Sequence, residues 1–336
     1  MNKSIFYILI TLVSVSACKN ISEEKCAPVP DTKGSVVTLK FESLGDSLPA
    51  ITTKTELVDF LTRHPALRDG YFSRKSYPDD SVFINTLFRK FTHPAIDTLV
   101  MEKRRVFGDE SSLKAEFTKA FSNIHYYFPS YRFPKIVTMV SGFQSGADMM
   151  VSDSLIVIGL DYFLGKGAKY RPNDMYEYML RRYEPGFVVP SVLLIMGIDP
   201  SINRSNATDK TVLADMMSYG KAYFFAKHMI PCAPDSVLIG FTAKEMAGSR
   251  EYESYIYKHL IEKEVLYSTS MQVKQHYLGE RPNTNEIGKE CPGRIAQWTG
   301  WQIVKQYAET HPELTLPELM KISSAEKIFH DAKYKP

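Results

Sequence analysis

The strongest constraint on this chain is a change of hydrophobic period in its middle. Residues 134–140 read Pro-Lys-Ile-Val-Thr-Met-Val and residues 154–160 read Ser-Leu-Ile-Val-Ile-Gly-Leu. Both runs are short, apolar and rich in β-branched residues, as in strands buried on both faces. Gly142, Gly146 and Asp153 lie between them and predict a hairpin with an elaborate loop. Elsewhere the period is helical. Val82, Phe83, Leu87 and Phe91 place a helix over 79–91, and Leu113, Phe117, Phe121 and Ile124 place one over 109–127. A shorter helix is expected over 55–63. The segment 209–228 carries Val212, Leu213, Met216, Met217, Tyr219, Tyr223 and Phe224, a stripe so wide that the helix must be mostly buried. Helices are also expected over 252–266 and over 292–307, with Pro292 in the first turn of the latter. Thr315 with Glu318 and Ser323 with Glu326 match the capping box, so two short helices close the chain. The expectation is an α+β fold: a mainly helical single domain with a small β-sheet.

Composition excludes whole function classes. The 336 residues include 20 Tyr, 19 Phe and 2 Trp, and Lys plus Arg exceed Asp plus Glu by 41 to 38. So aromatic and so nearly neutral a chain is not disordered. A net charge of +3 argues against nucleic acid as a partner, since no clustered basic face is implied.

The N-terminus sets the compartment. Lys3 is followed by an apolar run from Ile5 to Val15, too short to span a bilayer and suited to the core of a signal peptide. Val15-Ser16-Ala17-Cys18 then resembles the bacterial lipobox, in which the cysteine is acylated and opens the mature chain. Residues 1–17 are therefore expected to be a lipoprotein signal peptide and Cys18 the lipidation site, carrying diacylglycerol and palmitate-type chains. Residues 18–36 are polar, with Pro28, Pro30 and Gly34, and read as a flexible tether; 37–336 is the globular domain. The domain is expected in the cell envelope, facing the periplasm from the outer or inner membrane. Of the other cysteines, Cys26 falls in the tether, which leaves Cys232 and Cys291 as the disulfide candidate or all three as reduced thiols.

Catalytic motifs do not present themselves. No two of the eight histidines are four residues apart, and His-Glu-x-x-His, Cys-x-x-Cys, Gly-x-Ser-x-Gly and the phosphate-loop pattern are absent. No cofactor or metal is therefore expected. Asp161, Asp215 and Glu264 stand in or beside apolar surroundings and are the weak catalytic candidates, though structural ion pairs are the commoner fate of such acids. The run Lys103-Arg104-Arg105 reads as a solvated face. The aromatic stretch from His125 to Pro134 reads as core packing rather than a recognition surface.

Several segments carry a family likeness. These are residues 133–137 (Phe-Pro-Lys-Ile-Val), 153–165 (Asp-Ser-Leu-Ile-Val-Ile-Gly-Leu-Asp-Tyr-Phe-Leu-Gly) and Leu180-Arg181-Arg182-Tyr183. Tyr219-Gly220-Lys221-Ala222-Tyr223, Pro231-Cys232-Ala233-Pro234, Tyr277-Leu278-Gly279-Glu280-Arg281-Pro282 and Cys291-Pro292-Gly293-Arg294-Ile295 continue it. The colinear set resembles the GldB family of gliding motility lipoproteins of the Bacteroidota. The resemblance implies an envelope lipoprotein required for gliding. It would act non-enzymatically with other Gld and type IX secretion components and hold the membrane through its anchor. The order of elements is also similar to predicted gluzincin-type zinc peptidases. There a long helix carries His-Glu-x-x-His; here that window is Ala214-Asp215-Met216-Met217-Ser218, so the likeness implies a pseudo-peptidase without its metal site. A carboxylate or metal-dependent hydrolase, and a module binding peptide or glycan in the relict cleft, are the alternatives.

Overall fold

A computed structural model describes residues 26–32, 37–45, 47–143, 147–173 and 175–336. The signal peptide and Cys18 lie outside the described residues. The fold is α+β, mainly helical around one four-stranded sheet. In chain order the elements begin with β1 (Phe41–Ser43), α1 (Lys54–Arg63), α2 (Asp80–Phe91), α3 (Ala95–Phe107) and α4 (Ser111–Tyr127). Then come β2 (Lys135–Met139), β3 (Met149–Val151), β4 (Leu155–Gly159), α5 (Glu177–Leu180), α6 (Val188–Ile198) and α7 (Val212–Met229). The rest is helical: α8 (Asp235–Ile239), α9 (Ala243–Glu251), α10 (Glu253–Glu262), α11 (Met271–Tyr277), α12 (Ile295–Thr310), α13 (Leu316–Lys321) and α14 (Ala325–Asp331).

The two apolar strands do not form the expected hairpin. β2 and β4 run parallel, with Ile136 opposite Ile156 and Met139 opposite Gly159. The hairpin partner of β4 is the short edge strand β3, and β1 adds in parallel to the other side of β2, giving the order β1-β2-β4-β3. Parallel neighbours need both faces covered, and alternate side chains supply two cores. Ile136, Ile156 and Ile158 pack with Phe117 and Phe121 of α4 and the helices beyond. Val137, Met139 and Val157 pack instead with Leu57 and Phe60 of α1 and Phe83 and Leu87 of α2. Glu110 ties this region together: its buried carboxylate accepts from Ser43 Oγ at 2.6 Å and from Thr138, and pairs with Lys103. Lys103 is thus a buried ion-pair partner, not part of a solvated face; Arg104 and Arg105 are exposed. Most rings of the aromatic stretch pack as expected, with Phe133 stacked on Phe121 and Phe128 against Phe225, but Tyr126 is exposed.

α7 is the central helix, buried on nearly all sides. It crosses α12 at Gly220 and Gly300, where a Cβ on Gly220 would lie 2.5 Å from the Gly300 carbonyl oxygen. Its Lys221 side chain is 2% exposed, and the ammonium donates to the carbonyls of Arg204 (2.5 Å), Ile322 (2.8 Å) and Met320 (3.4 Å). Those carbonyls substitute for water and hold the segment after α6 and the end of α13 to α7. Burial lowers the Lys221 ammonium to about 8.

Smaller differences from the sequence reading have local causes. The helix expected over 252–266 stops at Glu262, because Glu264 takes a left-handed conformation (φ 53°). α12 starts at Ile295 rather than Pro292, which bridges to Asn283. Thr315 and Glu318 form the full capping box, whereas α14 is capped by Ser324 rather than Ser323. Among the described residues no helix is long and apolar enough to cross a membrane.

The disulfide expectation is corrected. Cys232 bonds to Cys26, across 206 residues, and Cys291 is free. Cys291 is half-buried, and burial pushes its thiol up to about 12, so it is a packed, unreactive sulfur. The inner part of the expected tether is therefore tied to the body, and Ala27 N–H also donates to Pro231 C=O at 3.0 Å.

Candidate functional site

The three acids singled out in the sequence are not brought together. Asp161, just after β4, is 1% exposed and accepts from the backbone N–H of Ser141 (2.9 Å) and Phe143 (3.1 Å) and from Ser141 Oγ. It closes the turn after β2, where Gly142 and Phe143 both have positive φ. Burial raises its pKa, and the donors oppose that shift. Asp215, in the first turn of α7, pairs with Lys274 of α11 at 2.7 Å. Glu264 lines a separate open cleft of about 970 Å³ with His259, His276, Tyr277 and Glu286. There His259 Nε2 meets Tyr277 OH at 2.9 Å and His276 Nδ1 meets Glu286 at 3.0 Å. Asp161 and Asp215 each have their own partners, Glu264 lines its own cleft, and among the described residues no hydrogen bond or ion pair joins any two of the three. Nor do the described residues hold a group of three or more His, Cys, Asp or Glu side chains placed to bind a metal ion.

A different constellation forms where α7, α12 and the turns after α5 and α11 meet. Arg182, from the turn after α5, donates to Glu280 Oε2 at 2.7 Å. Arg294, just before α12, approaches the same oxygen at 3.4 Å with its side chain only 10% exposed. Its left-handed backbone (φ 61°) turns the side chain inward, where the guanidinium lies over Phe241, 5.9 Å from the ring centroid. Gly240 (φ 71°) makes the room: a Cβ there would strike the Arg182 side chain and come within 3.3 Å of the Arg294 guanidinium. Arg181 donates to Glu245 at 2.9 Å, while its Nε is buried without a partner.

Tyrosines wall the cluster. Tyr223 of α7 donates to Gln297 Oε1 at 2.7 Å, and Gln297 Nε2 donates to Leu278 C=O at 2.7 Å, so α7, α12 and the end of α11 are stitched behind the arginines. Burial raises the pKa values of Tyr219 and Tyr223, and burial then the nearby Glu280 charge raise that of Tyr178. All three phenols stay protonated; the Tyr223 proton is committed to Gln297, which leaves Tyr178 and Tyr219 as donors. Asp148, at the sheet edge, bonds Tyr183 and is pushed toward its neutral form by burial. Three guanidinium groups thus face two carboxylates, Glu245 and Glu280, and Glu280 is shared by two of them. Asp148 also lies within electrostatic reach of Arg182. The cluster is partly exposed through Arg182 and Glu280 (23% and 31%). Guanidinium forks and protonated phenols are donors matched to a carboxylate or other oxyanion. The cluster contains no activated nucleophile.

The sequence motifs did not single out these residues as a site, because the Arg181-Arg182 pair lies about 100 residues before Glu280 and Arg294. The available signal was that the segments carrying the family likeness are themselves arginine- and tyrosine-bearing, and the fold draws them to one place. Comparison with curated proteins finds no match, and comparison with solved structures finds none either, so the peptidase likeness gains no support. The family described as gliding motility protein GldB matches residues 25–336, which includes every segment of the cluster. The chain belongs to that lipoprotein family of gliding motility.

Proposed function

We propose that this chain is a lipid-anchored envelope protein required for gliding, that it acts without catalysis, and that it works by contact with other Gld and type IX secretion components. The observation that carries this reading is the arginine–tyrosine cluster: a partly exposed, arginine-rich patch, built from several family segments, suited to gripping an acidic group on a partner. The dispersal of Asp161, Asp215 and Glu264 into three separate structural settings supports the non-enzymatic part. Anchoring through Cys18 puts the domain in an oxidising compartment, where the Cys26–Cys232 bond is stable.

The test is complementation of a deletion strain. Deletion should abolish colony spreading, the intact chain should restore it, and Arg182→Gln should fail to restore it while the protein stays folded and acylated. Full spreading by the deletion strain, or by the Arg182→Gln strain, contradicts the proposal.

A second reading, a module binding peptide or glycan, has one observation in its favour. A cavity of about 510 Å³ lies between α9–α10 and residues 287–292, beside Glu245, with Tyr252 and Tyr255 exposed at its edge. That volume is in the range of small-ligand sites. Titration with envelope peptides and peptidoglycan fragments, read by chemical shifts of Tyr252 and Tyr255, separates this reading from the first.

A further inference from the structure

The described chain ends, toward the N-terminus, at a covalent attachment to one particular end of the body. Cys26 is bonded to Cys232, three residues past the end of α7, and Ala27 is hydrogen-bonded to Pro231. Pro28 follows beside Phe224 and His228. The same face holds the end of α4, where Tyr127 packs on His228 and Tyr126 is 49% exposed.

The arginine cluster sits elsewhere along the same helix. α7 has 18 residues, so it is roughly 27 Å long. Tyr223 and Tyr219, its residues on the cluster, lie six and ten residues before its last residue, Met229, which places the cluster side of α7 roughly 9–15 Å from the attachment end along the axis.

Eight Cα steps separate Cys18 from Cys26, a leash of at most about 29 Å. Without the disulfide the leash would run on toward Val37, whose N–H is held by Ser122 Oγ, a contour of up to about 68 Å. We infer that the Cys26–Cys232 bond turns the C-terminal end of α7, with Tyr126 and Pro28, toward the phospholipid surface and holds the arginine cluster away from it, toward partners. The inference rests on the Cys18 anchor of the proposed function. The short leash keeps the body beside the bilayer, and the bond decides which face meets it. An exposed tyrosine on that face suits the interfacial zone of a membrane.

The experiment uses the full-length acylated protein in phosphatidylethanolamine–phosphatidylglycerol vesicles bearing a lipid-linked acceptor dye. A donor is attached through azidophenylalanine placed at Tyr126 or at Tyr176, which stacks on Tyr178 beside the cluster and is 73% exposed. The mass of the N-terminal peptide and flotation of the protein report acylation separately. The expected result is stronger energy transfer from position 126 than from 176, with that difference lost in the Cys26→Ser/Cys232→Ser double variant. Equal transfer from the two sites in the oxidised protein, or the reverse order, overturns the orientation while leaving the anchor intact. A difference that survives in the double variant removes the disulfide's role. An unacylated N-terminal peptide overturns the anchor itself.

Discussion

The buried ammonium of Lys221 makes stability depend on pH in a way that isolates one residue. Its folded value is about 8, against 10.5 for an exposed lysine. Below pH 8 the group is charged in both states, and the folded state carries the desolvation penalty. Between the two values the unfolded chain binds a proton that the folded protein does not, so stability rises with pH in that window. From pH 7 to pH 9 the two titration curves give a gain of about 1.3 kcal/mol, an upper bound because the three carbonyl acceptors favour the charged form. Tyrosines whose values burial has raised act in the opposite direction at alkaline pH, so the absolute stability hides the effect. They are common to the wild type and to Lys221→Met, and they cancel in the difference. Urea unfolding of both proteins at pH 7, 8 and 9 therefore tests the point: wild-type stability minus variant stability should climb by about 1 kcal/mol over the series. A flat difference would refute the argument that the site is desolvated.

Other consequences are more local. Gly300→Ala would force a methyl against the Met216 backbone at the α7–α12 crossing, and the melting temperature should fall by an amount equivalent to about 1–3 kcal/mol or more; an unchanged melting temperature contradicts the crossing geometry. Asp161→Asn sets an amide N–H₂ against the Ser141 and Phe143 donors and should destabilise by about 1–3 kcal/mol in urea unfolding. The folded fraction of that variant should still support spreading in cells; loss of spreading by a fully folded Asp161→Asn protein would give Asp161 a functional role. Cys18→Ala should leave the protein unacylated, and continued incorporation of radiolabelled fatty acid would place the anchor elsewhere.

What the sequence disclosed follows from what is local. The helical periods at 79–91, 109–127 and 209–228 were readable because each depends on side chains three and four residues apart. The apolar runs at 135–139 and 155–159 were readable as strands, but not as parallel neighbours. Their relation depends on β1 and β3, three residues each, too short to show a period. The pairing of Cys232 with Cys26 was hidden for a similar reason: a cysteine in a polar, proline-bearing segment reads as a tether until the segment is seen lying along Pro231. The arginine cluster was the least visible feature. Charges at 181, 182, 280 and 294 carry no joint signal in one dimension, and the left-handed turns at Gly240 and Arg294 that aim them inward leave no mark in a hydrophobic pattern.

The central claim, that the domain acts by contact through the arginine cluster, is tested most directly by crosslinking in living cells. A photoreactive benzoylphenylalanine placed at Tyr178, beside Arg182 and Glu280, should crosslink to another envelope protein of the gliding machinery. The same crosslink should disappear when Arg182→Gln is added. A crosslink that persists undiminished in Arg182→Gln cells, or cells that glide normally with the cluster neutralised, would contradict the account.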